Sequence, residues 1–177
     1  MNKLFKDSDK IFIAGANGMV GSAIKRAFSR HIKPPKTLNL LCPDRSDLNL
    51  LDKLAVKNWF IKNNPSIVIL AAAKVGGIFA NSNYPADFIL QNLSIQTNVI
   101  ESAWQQGVKR LIFLGSSCIY PKFANQPIKE EYLLKGELER TNEWYAIAKI
   151  AGLKLCESLR AQYGFDAISV MPTNLYG

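Results

Sequence analysis

KIFIAGANGMVG, residues Lys10 to Gly21, decides the fold. Lys10–Ala14 reads as a short apolar strand that runs straight into Gly15, Gly18 and Gly21, and a helix follows to about Arg30. Glycines at this spacing between strand and helix allow a tight turn, a close backbone approach to a pyrophosphate, and close packing of helix on strand. The helix N-terminus then offers free N–H groups and a partial positive charge to the phosphates. The stretch is read as a dinucleotide cradle, with Gly15, Ala16, Asn17, Gly18, Met19, Val20 and Gly21 as cofactor-binding residues.

Outward from this turn, strands and helices alternate. Thr37–Cys42 reads as the second strand, Asp52–Asn63 as a helix, and Ile67–Ala73 as the third strand, set between Pro65 and Gly76-Gly77. Pro85 to Gln106 is a long helix ending at Gly107, Arg110–Leu114 is the fourth strand, and Thr141–Tyr163 is a helix stopped by Gly164. Thr141 or Asn142 is expected to cap that helix. Ala167–Met171 is the fifth strand, cut off by Pro172, and Asn125–Gly136 is the one extended polar loop. Continuously apolar strands alternating with helices mean an α/β fold, a parallel sheet covered on both faces. Right-handed crossovers make it a doubly wound, Rossmann-type sheet.

The chain of 177 residues suits one domain, and 48% hydrophobic with 20% charged residues is ordinary for a soluble protein. MNKLFKDSDK is too charged for a signal peptide, and no apolar run is long enough to span a membrane, which points away from a membrane partner. Cys42, Cys118 and Cys156 have no metal-like spacing and cannot all pair, which favours a reducing cytoplasm and no metal site. The net charge of +8 comes without a dense Lys/Arg block or a nucleic-acid motif. A solvated basic surface, or attraction of a polyanionic small ligand, is the better reading than nucleic-acid binding.

In a doubly wound sheet, ligands sit at the carboxyl ends of the strands. Three segments should converge there: the Gly15–Gly21 turn, Gly115–Pro121 after the fourth strand, and Pro172–Gly177 after the fifth. Tyr145 and Lys149, four apart, share a helical face beside them, with Cβ atoms about 5–6 Å apart. A phenol with a pKa near ~10 is a poor acid–base group at neutral pH. An ammonium about 5 Å away would stabilise the phenolate by roughly 3 kcal/mol at an effective dielectric of ~20, lowering the phenol pKa by about two units. Ser116 or Ser117 could hydrogen-bond a carbonyl beside Tyr145, and Cys118 could serve as a thiolate base. Cys42 and Cys156 read as packing, and His31, the only histidine, as a surface or capping residue. Asp44 and Arg45 follow the second strand a little over 20 residues after Gly21. The acid would favour NAD through the ribose 2′-OH and the guanidinium NADP through the 2′-phosphate, so both remain open at this point.

Together, GxxGxxG, the Ser-Ser-Cys loop and YxxxK resemble the extended short-chain dehydrogenase/reductase family. AAAKVGGI (Ala71–Ile78), YPADFI (Tyr84–Ile89), LGSSCIYPK (Leu114–Lys122), YAIAKIAGLKLCES (Tyr145–Ser158) and MPTNLYG (Met171–Gly177) resemble the GDP-L-fucose synthases within it. The resemblance runs from about Lys10 to the last residue. It implies an NADPH-dependent epimerase–reductase that inverts C3 and C5 of GDP-4-dehydro-6-deoxy-D-mannose and reduces its C4 ketone to give GDP-L-fucose. It also implies roles. Tyr145 would give a proton to the C4 oxygen, Lys149 would lower the Tyr145 pKa and hold the nicotinamide ribose, Ser116 would orient the carbonyl, and Cys118 would be the epimerisation base. Leu114, Gly115, Ser116 and Ser117 would line the nicotinamide with Pro172, Thr173, Asn174 and Leu175, with Asn174 reaching the GDP-sugar. Arg45 would take the 2′-phosphate of NADP(H).

Bacterial members often carry an Arg in the glycine turn where this chain has Asn17, which leaves NADP preference to Arg45. The family's epimerisation acid is a His soon after PTNLYG, and a smaller C-terminal domain clasps the GDP-sugar. The expectation is therefore an NAD(P)-binding domain over residues 1–177, cut before the substrate domain. The family would also pair the 85–106 and 145–163 helices across a homodimer. The alternative is a domain that binds a dinucleotide without turnover.

Overall fold

A computed structural model describes residues 8–31 and 39–176. The described chain runs β1 (Lys10–Ala14), α1 (Met19–His31), β2 (Asn39–Leu41), α2 (Lys53–Asn63), β3 (Ile67–Leu70), α3 (Ile78–Asn83), α4 (Pro85–Gln105), β4 (Arg110–Leu114), α5 (Glu143–Tyr163) and β5 (Ala167–Val170). Short 3-10 turns occupy Ser117–Ile119, Glu130–Tyr132 and Arg140–Asn142, the second of them within the expected polar loop. All five strands are parallel, in the order β2-β1-β3-β4-β5. The expected doubly wound sheet is present. Its order reverses between β1 and β3, which places a ligand crevice at their carboxyl ends.

The alternation of side chains along β1 builds two cores. Phe12 and Ala14 join Val68, Leu70, Leu111 and Phe113 beneath α2, α4 and α5. Ile11 and Ile13 join Ile67 and Ile69 on the other face, against Ile24 and Phe28 of α1. The sheet is covered on both faces, as the apolar strands imply, but among the described residues three long helices lie on one face and α1 on the other. α4 and α5 pack closely along each other. Gly152 of α5 allows this, since a Cβ there would lie 2.6 Å from the Phe113 ring and 2.7 Å from Gln96 Oε1.

Several boundaries shift for identifiable reasons. β3 ends at Leu70 rather than Ala73: the Ala71 N–H still donates to the Ala14 carbonyl (3.0 Å), and by Lys74 the backbone bonds to the Asn92 side chain instead. β5 ends at Val170 rather than Met171, where its carbonyl accepts from Gly115 N–H at 2.8 Å. α4 ends at Gln105, one residue early, and α5 starts at Glu143 after a 3-10 turn. Asn142 occupies the capping position of α5 without a side-chain cap; Glu139 instead takes the Thr141 N–H. Asp52 lies outside α2 and caps it through the Ala55 N–H. α3 is too short to show a period in sequence. Thr37 and Leu38 of the expected second strand, and the side chain of His31, lie outside the described residues.

Candidate functional site

A cavity of about 900 Å³ opens at the carboxyl ends of the strands, within the range of cofactor and ligand sites. Gly15, with φ +84°, carries the chain out of β1 in a backbone conformation that L side chains rarely adopt. A Cβ there would stand 2.8 Å from the Ala72 backbone, so the turn and the chain leaving β3 touch at the switch point. Gly18 N–H closes the turn on the Gly15 carbonyl at 3.0 Å. A Cβ on Gly21 would overlap the Gly15 carbonyl oxygen, so this glycine lets the first turn of α1 sit on the end of β1. The first turn of α1 holds no acidic residue to offset its positive end.

After β2, Asp44 Oδ1 accepts from Ser46 N (2.8 Å), Ser46 Oγ (2.7 Å) and Asp47 N (3.0 Å). These bonds, that from the Ser46 hydroxyl first, hold its carboxyl below the usual range. The carboxylate is thus engaged by its own turn. Arg45 is exposed, lines the cavity and makes no ion pair among the described residues.

The loop after β4 is tied to the chain after β5, Ser117 N–H donating to the Pro172 carbonyl at 3.2 Å. Ser116 Oγ accepts from Cys118 N–H at 3.4 Å. Burial pushes the Cys118 thiol up, while its hydrogen bond with Ser116 and the nearby Lys149 ammonium pull it down. Lys149 is only 4% exposed. Its Nζ donates to the Leu114 carbonyl at 2.8 Å and lies 4.8 Å from the Phe113 ring centroid and 5.7 Å from that of Tyr145. Burial lowers Lys149 to about 8. Tyr145 is pushed up to about 12, mainly by burial and then by charge at Cys118.

That last result corrects the expected two-unit fall of the Tyr145 pKa. The ammonium is near, but it is spent on a carbonyl and is itself poorly solvated, so desolvation of the phenolate wins. Tyr145 at neutral pH is a firmly protonated phenol.

All the candidate positions line this one cavity: Gly15–Gly21, Arg45, Leu114–Cys118, Tyr145, Lys149 and Pro172–Leu175. Sequence reading missed Lys74, Asn81, Gln91 and Asn142, which share the wall. The signal was available for Lys74: a segment that follows a strand beside β1 must pass the crevice. Asn81 and Asn142 each carry a buried Oδ1 without a hydrogen-bond partner in the structure. Among the described residues no group of His, Cys, Asp and Glu could hold a metal ion.

A glycine turn at the switch point, a guanidinium beyond β2 without an ion pair among the described residues, and a half-buried Tyr145 beside a buried Lys149 define a Rossmann-type α/β domain. The chain belongs to the NAD dependent epimerase/dehydratase family, which it matches over residues 11–177. GDP-L-fucose synthase 1 of Arabidopsis thaliana is 59% identical over 170 residues, 96% of this chain and 51% of its own length. GDP-L-fucose synthase of Escherichia coli (strain K12) is 58% identical over 168 residues, 95% of this chain and 51% of its own. The structure of a GDP-mannoheptose C4 reductase from Campylobacter jejuni with NADP bound superposes with a TM-score of 0.92 at 39% identity, covering 98% of this chain and 54% of that one. The chain spans about half the length of the curated relatives it matches. No helix of the described residues is long and apolar enough to cross a membrane.

Proposed function

We propose that residues 1–177 are the cofactor-binding part of an NADPH-dependent epimerase–reductase that converts GDP-4-dehydro-6-deoxy-D-mannose to GDP-L-fucose in the cytoplasm. The observation that carries this is the gathering of Ser116, Cys118, Tyr145 and Lys149 on the same cavity as the glycine cradle. NADP(H) fits the residues present: Gly15–Gly21 would hold its pyrophosphate and Arg45, which makes no ion pair among the described residues, its 2′-phosphate, while Asp44 Oδ1 already accepts from Ser46 and Asp47. The Leu114–Ser117 and Pro172–Leu175 segments would enclose the nicotinamide, and Asn174 would face the sugar. When bound, NADPH supplies a hydride to C4.

The chain's own groups do the rest. Tyr145, protonated across the neutral range, gives its phenolic proton to the C4 oxygen, which becomes a hydroxyl. Ser116 orients that oxygen. Lys149 keeps a positive charge beside the phenolate left behind. Before reduction, the C4 carbonyl acidifies the C3 and C5 hydrogens. Cys118, once deprotonated, removes each in turn, and return of a proton on the opposite ring face needs a second acid. Leu90 of α4 and Trp144 of α5 are exposed apolar residues, which supports a homodimer formed through these helices.

The test is NADPH oxidation by the purified chain with GDP-4-dehydro-6-deoxy-D-mannose, beside Tyr145→Phe. The substitution is expected to abolish oxidation and to leave NADPH affinity within about threefold. An unchanged rate would remove Tyr145 from the chemistry, and NADPH binding without any oxidation by the parent chain would make this a binding domain.

A further inference from the structure

Between β3 and α3 the chain runs along the cavity wall without a strand partner, yet side chains meet its backbone. Lys74 is gripped on both sides by Asn92 of α4. Its N–H donates to Asn92 Oδ1 at 2.8 Å, and its carbonyl accepts from Asn92 Nδ2 at 3.0 Å. Asn92 is 2% exposed and is itself anchored by a bond from Nδ2 to the Phe88 carbonyl at 2.8 Å. Asn81, also buried, donates from Nδ2 to the carbonyls of Gly76 (3.0 Å) and Gly77 (3.2 Å). Two buried amides thus fix the backbone on either side of the Lys74 side chain.

That side chain is half-buried, lines the cavity and carries its ammonium 5.9 Å from the Phe88 ring centroid. It forms no ion pair among the described residues. Its place is informative. Ala72 touches the Gly15 turn, and Lys74 is two residues further on, within about 7 Å of chain. β3 lies between β1, which leads into the glycine turn, and β4, which ends at Leu114 and leads into the Ser116 loop. A rigidly based cation without a carboxylate among the described residues therefore follows the strand between those two and lines the cavity that the glycine turn and Tyr145 also line.

We propose that Lys74 binds a diphosphate in this cavity and that Asn92 is its positioning residue. Two diphosphates come to the site, that of NADPH and that of the GDP-sugar, and both offer the same chemistry; the inference rests on the preceding reading for these two sources. Calorimetry of the 177-residue chain separates them, with NADPH titrated alone and with GDP-mannose, a stable probe, titrated at saturating NADPH. Lys74→Met, which keeps the aliphatic stem, is expected to weaken one of the two ligands by about tenfold, while Lys74→Arg, which keeps the charge, holds its affinity. The loss should shrink as salt is raised. A loss confined to NADPH assigns Lys74 to the cofactor, and a loss confined to GDP-mannose assigns it to the sugar nucleotide. Asn92→Leu should weaken the same ligand and remove the same salt-dependent part of its affinity. Unchanged affinities for both ligands in Lys74→Met would overturn the inference and leave NADPH binding, and the reading above, standing. A parent chain that bound neither ligand would overturn both.

Discussion

Lys149 shows how a single residue can be costly to the fold and useful to the site. It is buried, has no acidic partner among the described residues, and has a pKa lowered from 10.5 to about 8. Between these values the unfolded chain holds a proton that the folded chain has lost, so this group makes stability rise with pH across that window, with its full penalty present below it. At pH 7 the penalty is roughly 3 kcal/mol, against about 1 kcal/mol from the bond to the Leu114 carbonyl. Lys149→Met should therefore stabilise the chain at pH 7 by about 2 kcal/mol, with a smaller gain at pH 10, as read by urea unfolding at both. Destabilisation at pH 7 would show that the ammonium is better solvated or better paired than its surroundings indicate. Tyr145→Phe belongs to the same scale and separates chemistry from binding. YxxxK was plain in the sequence and correctly put both groups on one face of one helix. The direction of the Tyr145 shift was not legible there, because it depends on burial in the folded chain and then on Cys118, which a separate loop brings near.

At the scale of elements, the β1–α1 turn is the joint on which the site depends. Gly21→Ala would push a methyl into the Gly15 carbonyl and lift α1 from the sheet. The expected cost is roughly 1–3 kcal/mol of stability. NADPH affinity should fall by more than the stability loss accounts for, because the turn proposed to hold the pyrophosphate moves with the helix. Thermal unfolding with and without NADPH separates the two effects; a variant of parental stability and affinity would show that the turn can yield. This turn was readable from its glycines alone, as were the five strands from their apolar runs. The segment after β3 was misread. Ala71–Ala73 is as apolar as a strand, and only Asn92, far along the chain, reveals that the backbone of Lys74 just beyond it bonds to a side chain. The start of α5 failed for a related reason: Asn142 is a good cap by type, yet Glu139 and the 3-10 turn take its place.

For the whole molecule, the doubly wound sheet brings residues from five separated segments to one crevice. The sequence carries a formal net charge of +8, which suits a polyanionic ligand. The NAD-or-NADP question left open by Asp44 and Arg45 turns on this loop, where the acid bonds its own turn through Oδ1 and the guanidinium makes no ion pair among the described residues, which supports the proposed NADP preference. The central claim, an NADP(H)-binding domain of a nucleotide-sugar epimerase–reductase, is tested most directly by titrating the purified chain with NADPH and with NADH. The account expects NADPH to bind tighter by about tenfold or more, through one charge-assisted contact of Arg45 to the 2′-phosphate. Equal affinities, a preference for NADH, or no binding of either would contradict it.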